Sequence, residues 1–205
     1  MTIFINKIYI DTSNSRTDLC NLGSNNGTDK SPYNTGRYRH AYTAVYDFLF
    51  STFRYNNINI GEIGIASNAS MKMWRSYFPH ANLYGYECVN KQIDNARLDN
   101  LDNTQYYFMD CGNTQSVNEG LSKCIDKFDI LIHDANHRPD HQFPVIESAI
   151  DHLKVGGVLI VEDIFRASIE STIINQLAMT HGVTGVNQYE NFIEQYVKYF
   201  HHISW

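Results

Sequence analysis

Apolar positions recur at helical spacing across residues 40–54, where Tyr42, Val45, Tyr46, Leu49, Phe50 and Phe53 predict an amphipathic helix. Beyond it the rhythm alternates. Strands are predicted at 58–65, 82–87, 106–109, 128–133 and 158–161, the first broken by Gly61 and Gly64, the last entered through a Gly156-Gly157 turn. Helices are predicted between and after them, at 70–77, 90–98, 117–125, 139–153 and 169–179. Short apolar strands alternating with helices predict a doubly wound α/β fold, a mostly parallel sheet covered on both faces. Residues 21–39 are crowded with Asn, Gly, Ser, Thr and Tyr and read as a long ordered loop or lid. The tail fits two readings, a helix over 189–200 or a strand over 197–205. The expected organisation is one domain, 1–205, with 1–40 as an N-terminal extension or lid.

Composition narrows the classes. The 205 residues are 43% hydrophobic and 13% aromatic, enough to build a core. A net charge of −6 argues against broad adhesion to nucleic acid. No apolar run reaches the roughly 18–20 residues of a membrane span. The opening Met1-Thr2-Ile3-Phe4-Ile5-Asn6-Lys7 lacks the basic flank and cleavage site of a signal peptide, so a cytoplasmic protein is expected. Cys20, Cys88, Cys111 and Cys124 form no C-x-x-C pair and fit reduced thiols.

In an open α/β sheet, ligands bind beyond the carboxyl ends of the strands. Those ends carry Glu62-Ile63-Gly64-Ile65-Ala66-Ser67, Glu87, Asp110, His133-Asp134-Ala135-Asn136-His137 and Glu162-Asp163. An acid stands at or just beyond every strand. The first loop is not G-x-G-x-x-G, since Ala66 and Ala69 take the later glycine positions. Glu87 can accept both hydroxyls of a ribose, and with Asp110 it suits an adenosine-bearing cofactor. Asp134, Glu162 and Asp163 converge and would repel unless a cation neutralised them; oxygen ligands favour Mg²⁺. The alternative is that these acids cap the helices that follow. His137, on the same loop as Asp134, is placed to take a proton from a substrate hydroxyl. With His141 four residues on, it fits zinc less well, because no third nitrogen or sulfur ligand is near in sequence.

The run Ile63-Gly64-Ile65-Ala66-Ser67-Asn68-Ala69, continuing to Trp74 and to Tyr84-Gly85-Tyr86-Glu87, resembles the cofactor half of class I S-adenosylmethionine methyltransferases. Further blocks, Gly27-Thr28-Asp29-Lys30, His40-Ala41-Tyr42-Thr43, Asp134-Ala135-Asn136-His137, Asp140-His141-Gln142 and Val161-Glu162-Asp163, resemble the metal-dependent sugar O-methyltransferases of macrolide biosynthesis. That resemblance implies a Rossmann-like sheet binding S-adenosylmethionine and Mg²⁺. Glu62, Gly64 and Ala66 would line the methionine and ribose part of the cofactor site, and Glu87 would hold the ribose diol. Asp110 with Cys111 would face the adenine. Asp134, Glu162 and Asp163 would bind the metal, His137 would be the base, and Lys30 and Tyr42 would belong to a lid over the cofactor. The chain departs from the family at His133-Asp134, where members often carry two acids, and at Cys111, where a polar residue such as Gln is expected. It also ends at Trp205, before the sixth and seventh strands that complete this fold; an unpaired edge would invite a homodimer. The expected acceptor is a sugar hydroxyl on a glycan, sugar nucleotide or glycosylated metabolite. Alternatives are a catechol-like acceptor, an NAD-dependent dehydrogenase, disfavoured by Ala69, and a non-catalytic binding domain.

Overall fold

In the computed structural model, which describes residues 3–4, 16–34, 40–164 and 202–203, the alternating segments form one five-stranded sheet. Its strands are β2 (Asn59–Ile63), β3 (Asn82–Glu87), β4 (Thr104–Phe108), β5 (Phe128–His133) and β6 (Leu153–Val161). They pair in parallel in the order β4-β3-β2-β5-β6. The order reverses direction between β2 and β5, which opens a crevice beyond their carboxyl ends. A short parallel pair joins β1 (Ile3–Phe4) to β7 (His202–Ile203).

Helices α3 (Ala69–Tyr77) and α4 (Asn90–Leu98) cover one face, with Trp74, Tyr77, Ile93 and Ala96 packed on Ile60, Leu83 and Ile130. Helices α5 (Thr114–Leu121) and α6 (Pro139–His152) cover the other, through Val117, Leu121, Val145 and Ala149. Each fully buried Leu, Ile or Val in these layers contributes about 1.5–3 kcal/mol of transfer free energy. All five positions of β2 are buried, as befits a central strand, and that places the Glu62 carboxylate in the interior.

The predicted loop at 21–39 is helical at its start, where α1 (Asp18–Asn26) runs into it; residues 27–34 are irregular, and 35–39 lie outside the described residues. The Thr17 hydroxyl caps α1 by accepting from the Cys20 amide, and Gly27 ends it in the left-handed conformation. Leu19, Cys20 and Gly23 are its buried face and pack against α3, so tertiary contact overrides the poor propensity of an Asn-, Ser- and Gly-rich segment. The next helix, α2 (Tyr42–Phe50), gives way to a tighter turn over Ser51–Phe53. Strand β6 begins at Leu153, earlier than predicted, and absorbs the glycine pair as an irregularity in its register with β5. The predicted helix at 169–179 and most of the tail lie outside the described residues. Among the described residues, no helix is long and apolar enough to cross a membrane.

Candidate active site

The hydrogen-bond ladder of the sheet runs one residue past the strands. Gly64 N donates to Tyr86 O at 2.8 Å, Asp134 N to Ile63 O at 2.8 Å, and Glu162 N to His133 O at 2.9 Å. These bonds hold the loops after β2, β5 and β6 side by side. Gly64 is indispensable to that contact: its φ is +93°, and a Cβ there would stand 2.2 Å from the carbonyl oxygen of Asp134. Ala66, Asn68, His137 and Asp163 also adopt positive φ, so unusual backbone concentrates around the crevice.

Beneath the crevice lies a buried charge cluster centred on Lys30. Its Nζ donates to both carboxylate oxygens of Glu162 at 2.8 Å and to Asp134, and lies 3.7 Å from Glu62. Tyr46 donates to Glu162, and Trp74 Nε1 donates to Glu62 at 2.6 Å. Burial disfavours the ammonium, but Glu162, Glu62 and Asp134 together hold the pKa of Lys30 above the ordinary lysine value. Burial raises both Glu62 and Glu162 above the usual carboxylate range, with the Lys30 ammonium opposing in both cases. The cation that neutralises much of the predicted acidic cluster is therefore a side chain of this chain.

Above it, Asp134, His137 and Asp163 each offer one ligand atom, all within 4.8 Å of one another. His137 Nε2 is 3.6 Å from Asp163 Oδ2, and Nδ1 is 3.9 Å from Asp134 Oδ1. These side chains are about one-fifth exposed, open enough for ligands from solvent or substrate. The two carboxylates, with open positions, fit a hard divalent cation, and the imidazole stands beside them as a base. Tyr42 donates to Asp163 Oδ1 at 2.5 Å, and His40 stacks on its ring at 4.8 Å.

Two cavities meet at Gly64, Ala66, Asp134 and Ala135 and make one groove. The first, about 220 Å³, is bordered by Glu87, Met109, Asp110, Cys111 and His141. The second, about 440 Å³, is bordered by Asp29, Lys30, Ser67, Ser70 and His137. Glu87 is buried and rigidly held, accepting from the amides of Ala66 at 3.2 Å, Cys88 at 2.8 Å and Val89 at 3.2 Å. The groove thus has an apolar end beside a fixed carboxylate and a polar end beside the possible metal ligands.

No protein-family model matches the chain. It is 26% identical over 160 residues to the mycinamicin VI 2''-O-methyltransferase of Micromonospora griseorubida, covering 74% of this chain and 37% of that protein. It is 29% identical over 136 residues to the 8-demethyl-8-(2-methoxy-alpha-L-rhamnosyl)-tetracenomycin-C 3'-O-methyltransferase of Streptomyces olivaceus, covering 62% and 33%. The chain is homologous to class I S-adenosylmethionine-dependent methyltransferases. It spans about a third of the length of these relatives. Its fold superimposes on the MycE methyltransferase of the mycinamicin pathway, solved with Mg and SAH, at a TM-score of 0.66 and 21% identity, over 89% of this chain and 50% of that one.

On this methyltransferase fold, the residues singled out in the sequence fall into three groups. Gly64, Ala66, Glu87, Asp110, Cys111 and Asp134 border the first cavity, while Lys30 and His137 border the second. Asp163 and Tyr42 stand beside His137 and Asp134 without bordering either cavity. Glu62 and Glu162 lie underneath, and Glu162 spends both oxygens on Lys30 and Tyr46. Lys30 is 2% exposed, the floor of the site where the resemblance implied a lid. Tyr46 and Trp74 carry no functional signal in the sequence beyond the need of a carboxylate in a fully buried central strand for buried donors.

Proposed function

We propose that the chain carries the cofactor-binding and proton-abstracting part of an S-adenosylmethionine-dependent O-methyltransferase acting on a sugar hydroxyl, with a divalent cation, Mg²⁺ by its ligand chemistry, at Asp134 and Asp163. The convergence of Asp134, His137 and Asp163 at the open end of the groove carries the reading. Homology to enzymes named for O-methylation, one on a rhamnosyl compound, supports the class of acceptor.

The sulfonium of the cofactor supplies an already activated methyl group, so the protein's part is alignment and deprotonation. Glu87 holds the ribose diol, with its carboxylate fixed by three backbone amides. Gly64 and Ala66 let the backbone approach a ligand closely, and Ser67 and Ser70 border the part of the groove that would take the methionine portion. His137 accepts the proton of the acceptor hydroxyl as its oxygen bonds to the methyl carbon and the carbon–sulfur bond breaks. The imidazolium formed is stabilised by the carboxylates of Asp134 and Asp163 on either side. When bound, the cation would lower the pKa of that hydroxyl. Lys30, Tyr46 and Trp74 act as positioning residues that keep Glu162 and Glu62 from repelling the site apart.

The test is transfer of labelled methyl from S-adenosylmethionine to a panel of glycosides and catechols, with Mg²⁺ or a chelator, for wild type and Asp163→Ala. Metal-stimulated transfer to a glycoside that Asp163→Ala abolishes supports the reading. Transfer to catechols alone, or Mg²⁺ stimulation that survives Asp163→Ala, contradicts it.

A further inference from the structure

We infer that His141 reads the purine ring of the cofactor, donating a hydrogen bond from Nε2 to one of its ring nitrogens; this deepens the S-adenosylmethionine reading above and rests on it. His141 lies in the first turn of α6 and borders the same cavity as Glu87, Asp110 and Cys111. Its ring is held in one tautomer. Asn136 Nδ2 lies 3.0 Å from His141 Nδ1, and the amide is oriented because Asn136 Oδ1 accepts from the Arg138 backbone N–H at 3.4 Å. Nδ1 is therefore the acceptor, and the ring proton sits on Nε2.

The Nε2 edge lies against Gly112, where a Cβ would approach both Nε2 and Cε1 to 3.0 Å. A bare backbone at that position is what admits the imidazole. Gly112 N donates to Asp110 Oδ1 at 2.9 Å, so that carboxylate is already engaged by its own loop. Among the described residues Nε2 has no hydrogen-bond partner, while Met109 and Cys111 make the adjoining wall apolar. An imidazole with an uncommitted donor, bordering an apolar slot of about 220 Å³, fits a flat heteroaromatic ring that presents lone pairs at its edge. Adenine is such a ring.

The experiment is calorimetric titration of the full chain with S-adenosylhomocysteine and its 1-deaza, 3-deaza and 7-deaza analogues, for wild type, His141→Phe and Asn136→Asp. Wild type should bind one analogue roughly fivefold to tenfold more weakly than the parent, the scale of one lost hydrogen bond. His141→Phe should bind the parent more weakly by a similar factor and no longer distinguish that analogue. Asn136→Asp, whose carboxylate draws the proton to Nδ1, should lose the same discrimination, with the tautomer change visible in the ¹⁵N spectrum of His141. Equal binding of all three analogues and the parent by wild type overturns the inference, as does discrimination retained by His141→Phe. Failure of wild type to bind S-adenosylhomocysteine at all overturns the cofactor reading itself, an outcome distinct from the other two.

Discussion

Replacing Lys30 by methionine removes the ammonium that, among the described residues, faces Glu62, Glu162 and Asp134 at once. The side chain is 2% exposed and two of its partners are nearly as buried, so solvent cannot screen what is left. Methionine preserves most of the apolar stem, which confines the perturbation to charge. Breaking a buried ion pair by deleting one partner costs about 3–5 kcal/mol, because the orphaned charge stays desolvated. A domain of this size is stable by about 5–15 kcal/mol, so Lys30→Met should be folded but substantially weakened. Urea denaturation followed by circular dichroism measures the loss. The double variant Lys30→Met/Glu162→Gln should recover part of it, with a coupling of about 1–3 kcal/mol, because the amide no longer needs a counter-charge. A loss below about 1 kcal/mol, with additive single and double variants, would refute the reasoning and return Lys30 to a peripheral role.

His137→Ala should slow methyl transfer roughly 10²–10⁴-fold, the range for a general base, while leaving the affinity for S-adenosylhomocysteine within about twofold; unchanged turnover rejects the assignment. Gly64→Ala forces a methyl group onto the Asp134 carbonyl at a φ of +93°, so it should cost at least about 1–3 kcal/mol and abolish cofactor binding together. A stable variant that binds normally would show that the two loops are not pressed together. Burial pushes His133 down to about 3, with His137 and His141 adding to the effect. The unfolded chain takes up this proton near pH 6.5 and the folded chain does not, so stability from His133 is present above pH 6.5 and is lost as pH falls toward 3. Between pH 6.5 and 5 the loss should be about 2 kcal/mol, and His133→Leu should remove that part of the slope; an unaltered slope contradicts it.

The frame of the fold was legible because its signals are local. Strands β3 and β5 and helix α4 fall at their predicted bounds, since each is a short run with one period and clear breakers. Helix α1 was not, because Asn, Ser and Gly speak for loop, and only burial of Leu19, Cys20 and Gly23 against α3 makes it a helix. The acids at the strand ends were legible by the same logic as the fold. What neutralises them was not: Lys30 precedes Glu162 by 132 residues, and its role depends on a packing that no spacing encodes. Asp134 and Asp163 each spend one oxygen, on Lys30 and on Tyr42, and turn the other toward His137, while Glu162 spends both from below, a split among three similar side chains that only the third dimension makes.

Binding of S-adenosylmethionine in the groove joining Glu87 to His137 is the proposal on which the other roles depend. It is tested most directly by equilibrium dialysis of the labelled cofactor against wild type and Glu87→Ala, with NAD as competitor. Saturable one-to-one binding to wild type that NAD does not displace is expected, weakened at least tenfold by Glu87→Ala through lost charge-assisted hydrogen bonds to the ribose. No binding to wild type, displacement by NAD, or full affinity in Glu87→Ala would contradict it.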